Sequence, residues 1–174
     1  MKIKERDLHM ENAIFDKVNA LLEQYVGGQI FFTELDKAVK FDVNVLKALT
    51  KRLEEIFGSD HGIKTIASGE IGLAMHNLGV TVDFLVPGGL RHDPTKINLK
   101  PFQGQIEGKS FVFLDDSYFS GKTAAVVKEE IEQLGGIFVG TLVAYDGAKV
   151  RDKDVWSLYR YYDYHDILGR KLNK

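Results

Sequence analysis

The sequence predicts an α/β protein with a mainly parallel β-sheet flanked by helices. After residue 63, short apolar runs alternate with segments of helical periodicity, in the order strand, helix, strand, loop, strand, helix, strand. Two of the runs, FVFLDD (111–116) and IFVGTLVAY (137–145), lack the regular polar alternation of a half-exposed strand. Such continuous apolar strands are typical of parallel sheets that are covered on both faces.

Length and composition indicate one domain with a sizeable core, because the chain has 174 residues, of which 44% are hydrophobic. We divide it into a helical segment 1–57, a core 58–146 and a C-terminal segment 147–174. The net charge of −2 gives no basic footprint for nucleic acid, and the absence of cysteine excludes disulfides and thiolate metal sites. No signal peptide or run of about 18 apolar residues is evident, so we expect a cytoplasmic protein with neither membrane nor nucleic acid as partner.

The first 57 residues predict three helices. Apolar residues recur at helical spacing over 7–25, and Gly27–Gly28 would end that helix. Thr33 and Asp36 resemble a capping box for a short helix over 34–40. A third helix is expected over 43–57, ending at Gly58. These helices are a candidate hood over a binding site.

The core predicts strands at 63–67, 80–86, 111–116 and 137–145, and helices at 71–79 and 122–136. The segment 87–104 contains all three prolines and has no clear period, which predicts a long loop that is mobile without ligand. In open parallel sheets, ligands bind beyond the carboxyl ends of the strands. SGE (68–70) and DDSYFSGKT (115–123) both lie at such ends.

The stretch from Ser120 to Thr123 has the composition of a phosphate cradle at the start of a helix. Free backbone N–H groups and the helix dipole favour an anion there, and Gly121 permits close approach. A Walker A loop is rejected because its first glycine would fall at Asp116. Asp115 and Asp116 instead suit the vicinal hydroxyls of a ribose, beside a magnesium ion. The sequence therefore predicts a ribose 5-phosphate ligand.

The thirteen residues FVFLDDSYFSGKT resemble the phosphoribosyl pyrophosphate (PRPP) motif of type I phosphoribosyltransferases. The resemblance implies that Asp115 and Asp116 contact the ribose and hold Mg²⁺, directly or through water. It also implies a loop around the 5-phosphate, formed by Ser117, Tyr118, Phe119, Ser120, Gly121, Lys122 and Thr123. ASGEIGLA (67–74) resembles the family's pyrophosphate loop, with Ser68, Gly69 and Glu70 presenting backbone amides. The resemblance covers about residues 60–146 and implies the family's fold.

The activity that this resemblance implies is Mg²⁺-dependent transfer of the phosphoribosyl group of PRPP to a nitrogenous base, with release of pyrophosphate, in nucleotide synthesis or salvage. The segment 87–104 lies where the family has its flexible catalytic loop. Its cations Arg91 and His92, followed by Lys96, are the candidates that stabilise the leaving group. Pro87–Gly88 stand where orotate-type members carry an arginine–lysine pair, which disfavours orotate as the acceptor. Family members are often homodimers.

The acceptor base stays open. Candidate pocket residues are Tyr145, Trp156 and Asp163, and the alternative is that these aromatic residues pack against the sheet and the N-terminal helices. A second function hypothesis is a non-catalytic regulator that keeps the fold and senses PRPP or nucleotide. A PRPP-synthase-like or hydrolytic role is a third.

Overall fold

The computed structural model describes residues 42–58, 62–86, 96–148, 150 and 152–160. The helices expected over 7–25 and 34–40 lie outside these residues, as do Arg91, His92 and Asp163. Among the described helices, none has the length and apolar character needed to cross a membrane.

The centre of the fold is a five-stranded sheet in which every strand pair is parallel. The strands lie in the order β2-β1-β3-β4-β5. Their bounds are β1 Lys64–Ser68, β2 Phe84–Val86, β3 Ser110–Tyr118, β4 Ile137–Asp146 and β5 Val155–Arg160. The predicted parallel α/β sheet is confirmed. The fifth strand was not predicted, so the sheet extends into the segment that we had separated as 147–174.

The described residues form four α-helices around the sheet: α1 Val43–Phe57, α2 Gly69–Asn77, α3 Gln103–Ile106 and α4 Lys122–Gln133. The predicted bounds of α1 are confirmed. Its amino end is capped by Asp42, whose carboxylate accepts the Asn44 N–H at 2.9 Å, and Gly58 follows its last residue. Helix α2 begins two residues before the predicted start, so that Gly69 and Glu70 form its first turn.

Strand β2 is much shorter than the predicted strand 80–86. The Val80 N–H bonds back to the Met75 carbonyl at 3.0 Å, which continues the turn after α2. The Asp83 carboxylate accepts the Thr65 N–H at 2.8 Å and contacts the Lys64 ammonium at 2.6 Å. The Asp83 carboxylate thus takes up the Thr65 N–H at the start of β1. Register pairing between β1 and β2 begins with the next residues, Ile66 and Phe84.

The sheet is covered on both faces, as the unbroken apolar strands predict. One face packs on α1 and α2, with the buried residues Val45, Leu46, Leu49, Ala67, Ile71, Met75, Val112 and Leu114. The other face packs on α4 and on residues 97–106, with Ile97, Leu99, Ile106, Phe111, Phe113, Val127 and Ile131 buried. Helix α1 is therefore a layer of the core, and the expectation that 1–57 forms a hood stays a prediction.

The prediction of an irregular loop over 87–104 is wrong for its second half. Lys100–Phe102 form a 3₁₀ turn that leads into α3. Ile97 and Leu99 are buried against the face that carries α4. The Leu99 N–H also donates to the Glu130 carboxylate of α4 at 3.0 Å. These contacts hold the segment on the sheet because they bury its apolar side chains and satisfy its backbone.

Candidate functional site

The topology creates a crevice at the carboxyl edge of the sheet, between β1 and β3. The chain leaves β1 toward β2 on one side, and it leaves β3 toward β4 on the other. Such a switch point is where open α/β sheets bind ligands. Ala67 and Leu114 are register partners, so the next residues, Ser68 at the end of β1 and Asp115 near the end of β3, lie side by side.

The acidic pair occupies the end of β3. Asp116 is buried, with 4% of its surface exposed, and Asp115 is half-buried. One Asp115 carboxylate oxygen accepts the Asp116 backbone N–H at 2.9 Å. One Asp116 carboxylate oxygen accepts the Ser117 hydroxyl at 3.0 Å. The structure thus places two carboxylates together near the carboxyl end of β3.

The environment of this pair disfavours a second negative charge. Burial raises the pKa of Asp115 well above its ordinary value, and the charge of Asp116 raises it further. The Asp116 N–H acts in the opposite direction, because it donates to the Asp115 carboxylate, and the nearby Ser68 hydroxyl also lowers the pKa of Asp115. A cation or ligand hydroxyls bound here would relieve the repulsion. The register of β1 and β3 places Ser68, in the predicted pyrophosphate loop, next to the acidic pair.

Two helices begin at this edge, one on each face of the sheet. Helix α2 starts directly after Ser68, and α4 starts after Gly121. Neither amino end has a side-chain cap among the described residues, so both present backbone N–H groups. The first turn of α4 contains no acidic residue. Helix amino ends of this kind attract anions.

Gly121 is required at the start of α4. Its φ of 69° lies in the left-handed region of the backbone, where residues with a Cβ atom are strained. A Cβ atom at this position would also collide with the Tyr118 hydroxyl. The Gly121 carbonyl accepts the Ala125 N–H at 2.8 Å and so makes the first helical hydrogen bond.

Two residues of the predicted phosphate loop direct their side chains to other partners. Tyr118, the last residue of β3, is buried, and its hydroxyl donates to the Asp152 carboxylate. The Phe119 ring packs on Tyr145, with the ring centroids 5.6 Å apart, and lies against Gly147. The implied wrapping of a phosphate by residues 117–123 therefore does not extend to these two rings, which pack instead on the connection between β4 and β5.

The proposed base-pocket residues are separated. Tyr145 is fully buried near the end of β4. Trp156 is the register partner of Leu142, three residues earlier along that strand. Its ring packs edge-on against Phe57 of α1, with centroids 5.3 Å apart, and covers Gly140. The Trp156 ring thus packs as the alternative interpretation predicts, and its assignment to a base pocket stays an untested prediction.

The donor set at the acidic pair fits magnesium held partly by a ligand. Within the described ranges, no group of three or more histidine, aspartate or glutamate side chains is arranged to hold a metal. Magnesium is often bound by one or two carboxylates, with the other positions taken by water and substrate phosphates. Asp115 and Asp116 supply the carboxylates that such an arrangement needs.

Two aspartates near the site were not singled out from the sequence. Asp152 contacts Tyr118 across 34 residues, and no local pattern indicates that pairing. Asp146 is buried at the end of β4, and its carboxylate accepts the Ala148 N–H at 2.9 Å. Asp146 ends an apolar strand and is the register partner of Tyr118. An alignment of the predicted strands β3 and β4 would therefore have placed it near the site.

No protein-family model matches the chain, and no curated protein sequence does. Several solved structures are similar to it. The adenine phosphoribosyltransferase of Rhodothermus marinus is 16% identical with a TM-score of 0.46, over 71% of this chain and 84% of that one. The adenine phosphoribosyltransferase of Thermoanaerobacter pseudethanolicus is 17% identical with a TM-score of 0.44, over 72% and 86%. A phosphoribosyltransferase of Corynebacterium diphtheriae is 10% identical with a TM-score of 0.46, over 88% and 99%. At these identities and TM-scores the similarity assigns no function to this chain.

Proposed function

We propose that this protein is a Mg²⁺-dependent phosphoribosyltransferase, which transfers the phosphoribosyl group of PRPP to a nitrogenous base and releases pyrophosphate. The observation that carries the proposal is the meeting of the Ser68 loop with Asp115 and Asp116, between two helix amino ends at the switch point. The reaction would serve nucleotide synthesis or salvage.

PRPP has three polar parts, and the crevice offers a suitable partner for each. The amino end of α4, with the Ser120 and Thr123 hydroxyls, suits the 5-phosphate. The carboxylates of Asp115 and Asp116 suit the two ribose hydroxyls, because each hydroxyl can donate a hydrogen bond to a carboxylate oxygen. The amides at the start of α2, from Ser68 to Glu70, suit the pyrophosphate.

The chemistry breaks the bond between C1 of the ribose and the pyrophosphate oxygen, and forms a bond from C1 to a nitrogen of the base. The electron pair of the broken bond leaves with the pyrophosphate, and the nitrogen that attacks with its lone pair gives up its proton to the solvent. Positive charge develops on the ribose, as in glycoside cleavage, and the carboxylates of Asp115 and Asp116 favour it electrostatically. The helix amides position the ligand and favour the departing charge. Bound Mg²⁺ would supply further neutralisation of the phosphates, and Arg91 and His92 are proposed as additional cations at the leaving group.

The first test is thermal unfolding with PRPP and Mg²⁺ together and with each alone. A ligand at about 100 times its dissociation constant adds about 2.7 kcal/mol of stability, which corresponds to a shift of about 5–10 °C for a chain of this length. We expect a shift that requires both components. Pyrophosphate release is then measured against a panel of purine and pyrimidine bases. A shift without release for any base would favour the regulator hypothesis, and no shift would contradict ligand binding.

The second test is the double variant Asp115→Asn/Asp116→Asn. Amides cannot replace two carboxylates as partners of Mg²⁺ and ribose hydroxyls, so we expect the PRPP-dependent shift to disappear. The circular dichroism spectrum should stay that of the wild-type protein, because asparagine conserves the side-chain volume. An unchanged shift would overturn the assignment of this pair.

A further inference from the structure

The end of β3 is tied twice to the connection between β4 and β5. The Tyr118 carbonyl accepts the Gly147 N–H at 2.8 Å. The Tyr118 hydroxyl donates to the Asp152 carboxylate, across 34 residues of sequence. The backbone hydrogen bond continues the pairing of β3 with β4 and could be made by almost any residues. The side-chain hydrogen bond requires a tyrosine at 118 and an acceptor at 152.

The Tyr118 side chain also supports the start of α4. Its hydroxyl and ring lie so close to Gly121 that a Cβ atom on Gly121 would collide with them. Gly121 in turn accepts the first helical hydrogen bond of α4, from Ala125. The position of the Tyr118 hydroxyl therefore limits where the free amides at the start of α4 can lie.

Asp152 fixes the other end of this contact. Its own carbonyl accepts the Val155 N–H at 3.2 Å, in the turn that leads into β5. The carboxylate is thus attached to a sheet strand, although Asp152 itself is exposed.

We propose that Tyr118 and Asp152 are a positioning pair, which holds the Gly121–Thr123 backbone in the geometry that receives a phosphate group. Neither side chain needs to touch the ligand. The inference deepens the proposed function, since it rests on a 5-phosphate at the start of α4. It assigns Tyr118 a role different from the direct phosphate contact that the motif implies.

A merely structural role makes a different prediction. If the hydrogen bond only stabilised the fold, its loss would lower the unfolding temperature and leave the affinity of the folded protein unchanged. If it positions the cradle, its loss weakens ligand binding more than it changes stability. Removing the phenol oxygen leaves the buried ring in place, and Asp152 is exposed and can be solvated by water.

The test compares four single variants with the wild-type protein. Tyr118→Phe and Asp152→Ala remove the hydrogen bond, while Asp152→Asn keeps an oxygen acceptor. Asp154→Ala is the matched control, because it alters an exposed aspartate in the same turn. Dissociation constants for PRPP with Mg²⁺ are measured by calorimetry. Hydrogen exchange of a peptide covering 119–125 is measured without ligand.

We expect the first two variants to weaken PRPP binding about tenfold, as loss of one hydrogen bond to a charged group does. Their 119–125 peptide should exchange faster, with peptides of α1 and β1 unchanged. Asp152→Asn and Asp154→Ala should stay within about twofold of the wild-type affinity. The double variant Tyr118→Phe/Asp152→Ala should bind no more weakly than either single variant, since both remove the same contact.

Wild-type affinity and exchange in Tyr118→Phe and Asp152→Ala would overturn the positioning role. Faster exchange with unchanged affinity would overturn it as well, and so would an equal loss in Asp154→Ala. If the wild-type protein itself fails to bind PRPP with Mg²⁺, the proposed function fails. Hydrogen exchange of the 119–125 peptide in the variants, together with a titration with inorganic phosphate, then still decides whether the pair positions an anion-binding backbone at the start of α4.

Discussion

The Asp115 carboxylate lies half-buried beside a second carboxylate, so its ionised form opposes folding of the ligand-free protein. Because its pKa is raised in the folded state, the folded state binds the proton more tightly than the unfolded chain does. The resulting stabilisation is complete below the unfolded pKa of about 4 and is lost as the pH rises through the folded pKa. At neutral pH and above, this residue therefore costs stability.

Replacing Asp115 with asparagine should raise the unfolding temperature of the ligand-free protein. Each unit of pKa shift corresponds to about 1.4 kcal/mol, so we expect a gain of a few degrees at pH 8. The gain should shrink toward pH 4, where the wild-type carboxyl is protonated too. Differential scanning calorimetry across this pH range checks it, with Asp154→Asn as an exposed control. A variant less stable than the wild-type protein at pH 8 would contradict the electrostatic account.

Gly121 combines a left-handed backbone with a close contact, and the two can be separated. Gly121→Ala should cost more than 2 kcal/mol of unfolding free energy and weaken PRPP binding, because it adds about 1–2 kcal/mol of backbone strain to the collision with Tyr118. Gly108→Ala is the control, since Gly108 has a φ of 72° but open space around its Cβ position. In a denaturant titration, Gly108→Ala should lose only the unfolding free energy that corresponds to the backbone strain. Equal losses in both variants would show that the collision is relieved at no cost.

At this scale the sequence predicts the acidic pair and the glycine, because each follows from local chemistry at a strand end. It does not predict the partner of Tyr118. Asp152 meets that hydroxyl only through the alignment of β3, β4 and β5, and no pattern within either segment encodes the contact.

The elements divide into those that periodicity predicts and those that depend on partners. Helix α1 matches its predicted bounds because an apolar stripe, a capping aspartate and a final glycine agree. Residues 97–106 show no helical period, yet Ile97 and Leu99 are buried on the α4 face. Three buried apolar residues without a regular period, Ile97, Leu99 and Ile106, and a distant glutamate specify that segment, which is too little for pattern reasoning.

Glu130 should anchor this segment to α4. Its carboxylate accepts the Leu99 N–H, and Glu130→Ala would leave that amide without its partner. We expect a loss of about 1–2 kcal/mol in unfolding free energy and faster hydrogen exchange in a peptide covering 97–102. Glu129→Ala on the exposed side of the same helix is the control, since Glu129 accepts from Gln133 in the next turn of its own helix. Similar exchange in the two variants would show that apolar burial alone holds the segment.

Across the whole molecule, the two edges of the sheet use their carboxylates in opposite ways. At the carboxyl edge, Asp115 and Asp116 repel each other in the crevice. At the amino edge, Asp83 joins the starts of β1 and β2 through Lys64 and Thr65. Burial opposes ionisation of Asp83, but the Lys64 hydrogen bond and charge and the Thr65 N–H outweigh it, and the pKa of Asp83 is lowered. At the site edge, the charge of the acidic pair lowers the stability of the ligand-free protein but is available to a ligand. At the opposite edge, the ion pair and hydrogen bonds of Asp83 stabilise the fold and offset part of that loss.

This division predicts opposite pH profiles for two isosteric variants. A lowered pKa stabilises the folded protein above the unfolded pKa of about 4, and that stabilisation disappears as the pH falls through the folded value. Asp83→Asn should therefore lower the unfolding temperature by a few degrees at pH 7 and leave it nearly unchanged near pH 2–3. The effect stays modest, at about 1 kcal/mol, because Lys64 is 39% exposed and its charge is screened. Asp115→Asn, measured in the same ligand-free buffers, should stabilise the protein over the neutral range. If both variants shift stability in the same direction at pH 7, the two edges are not electrostatically distinct, and the cost assigned to the acidic pair would have to come from packing.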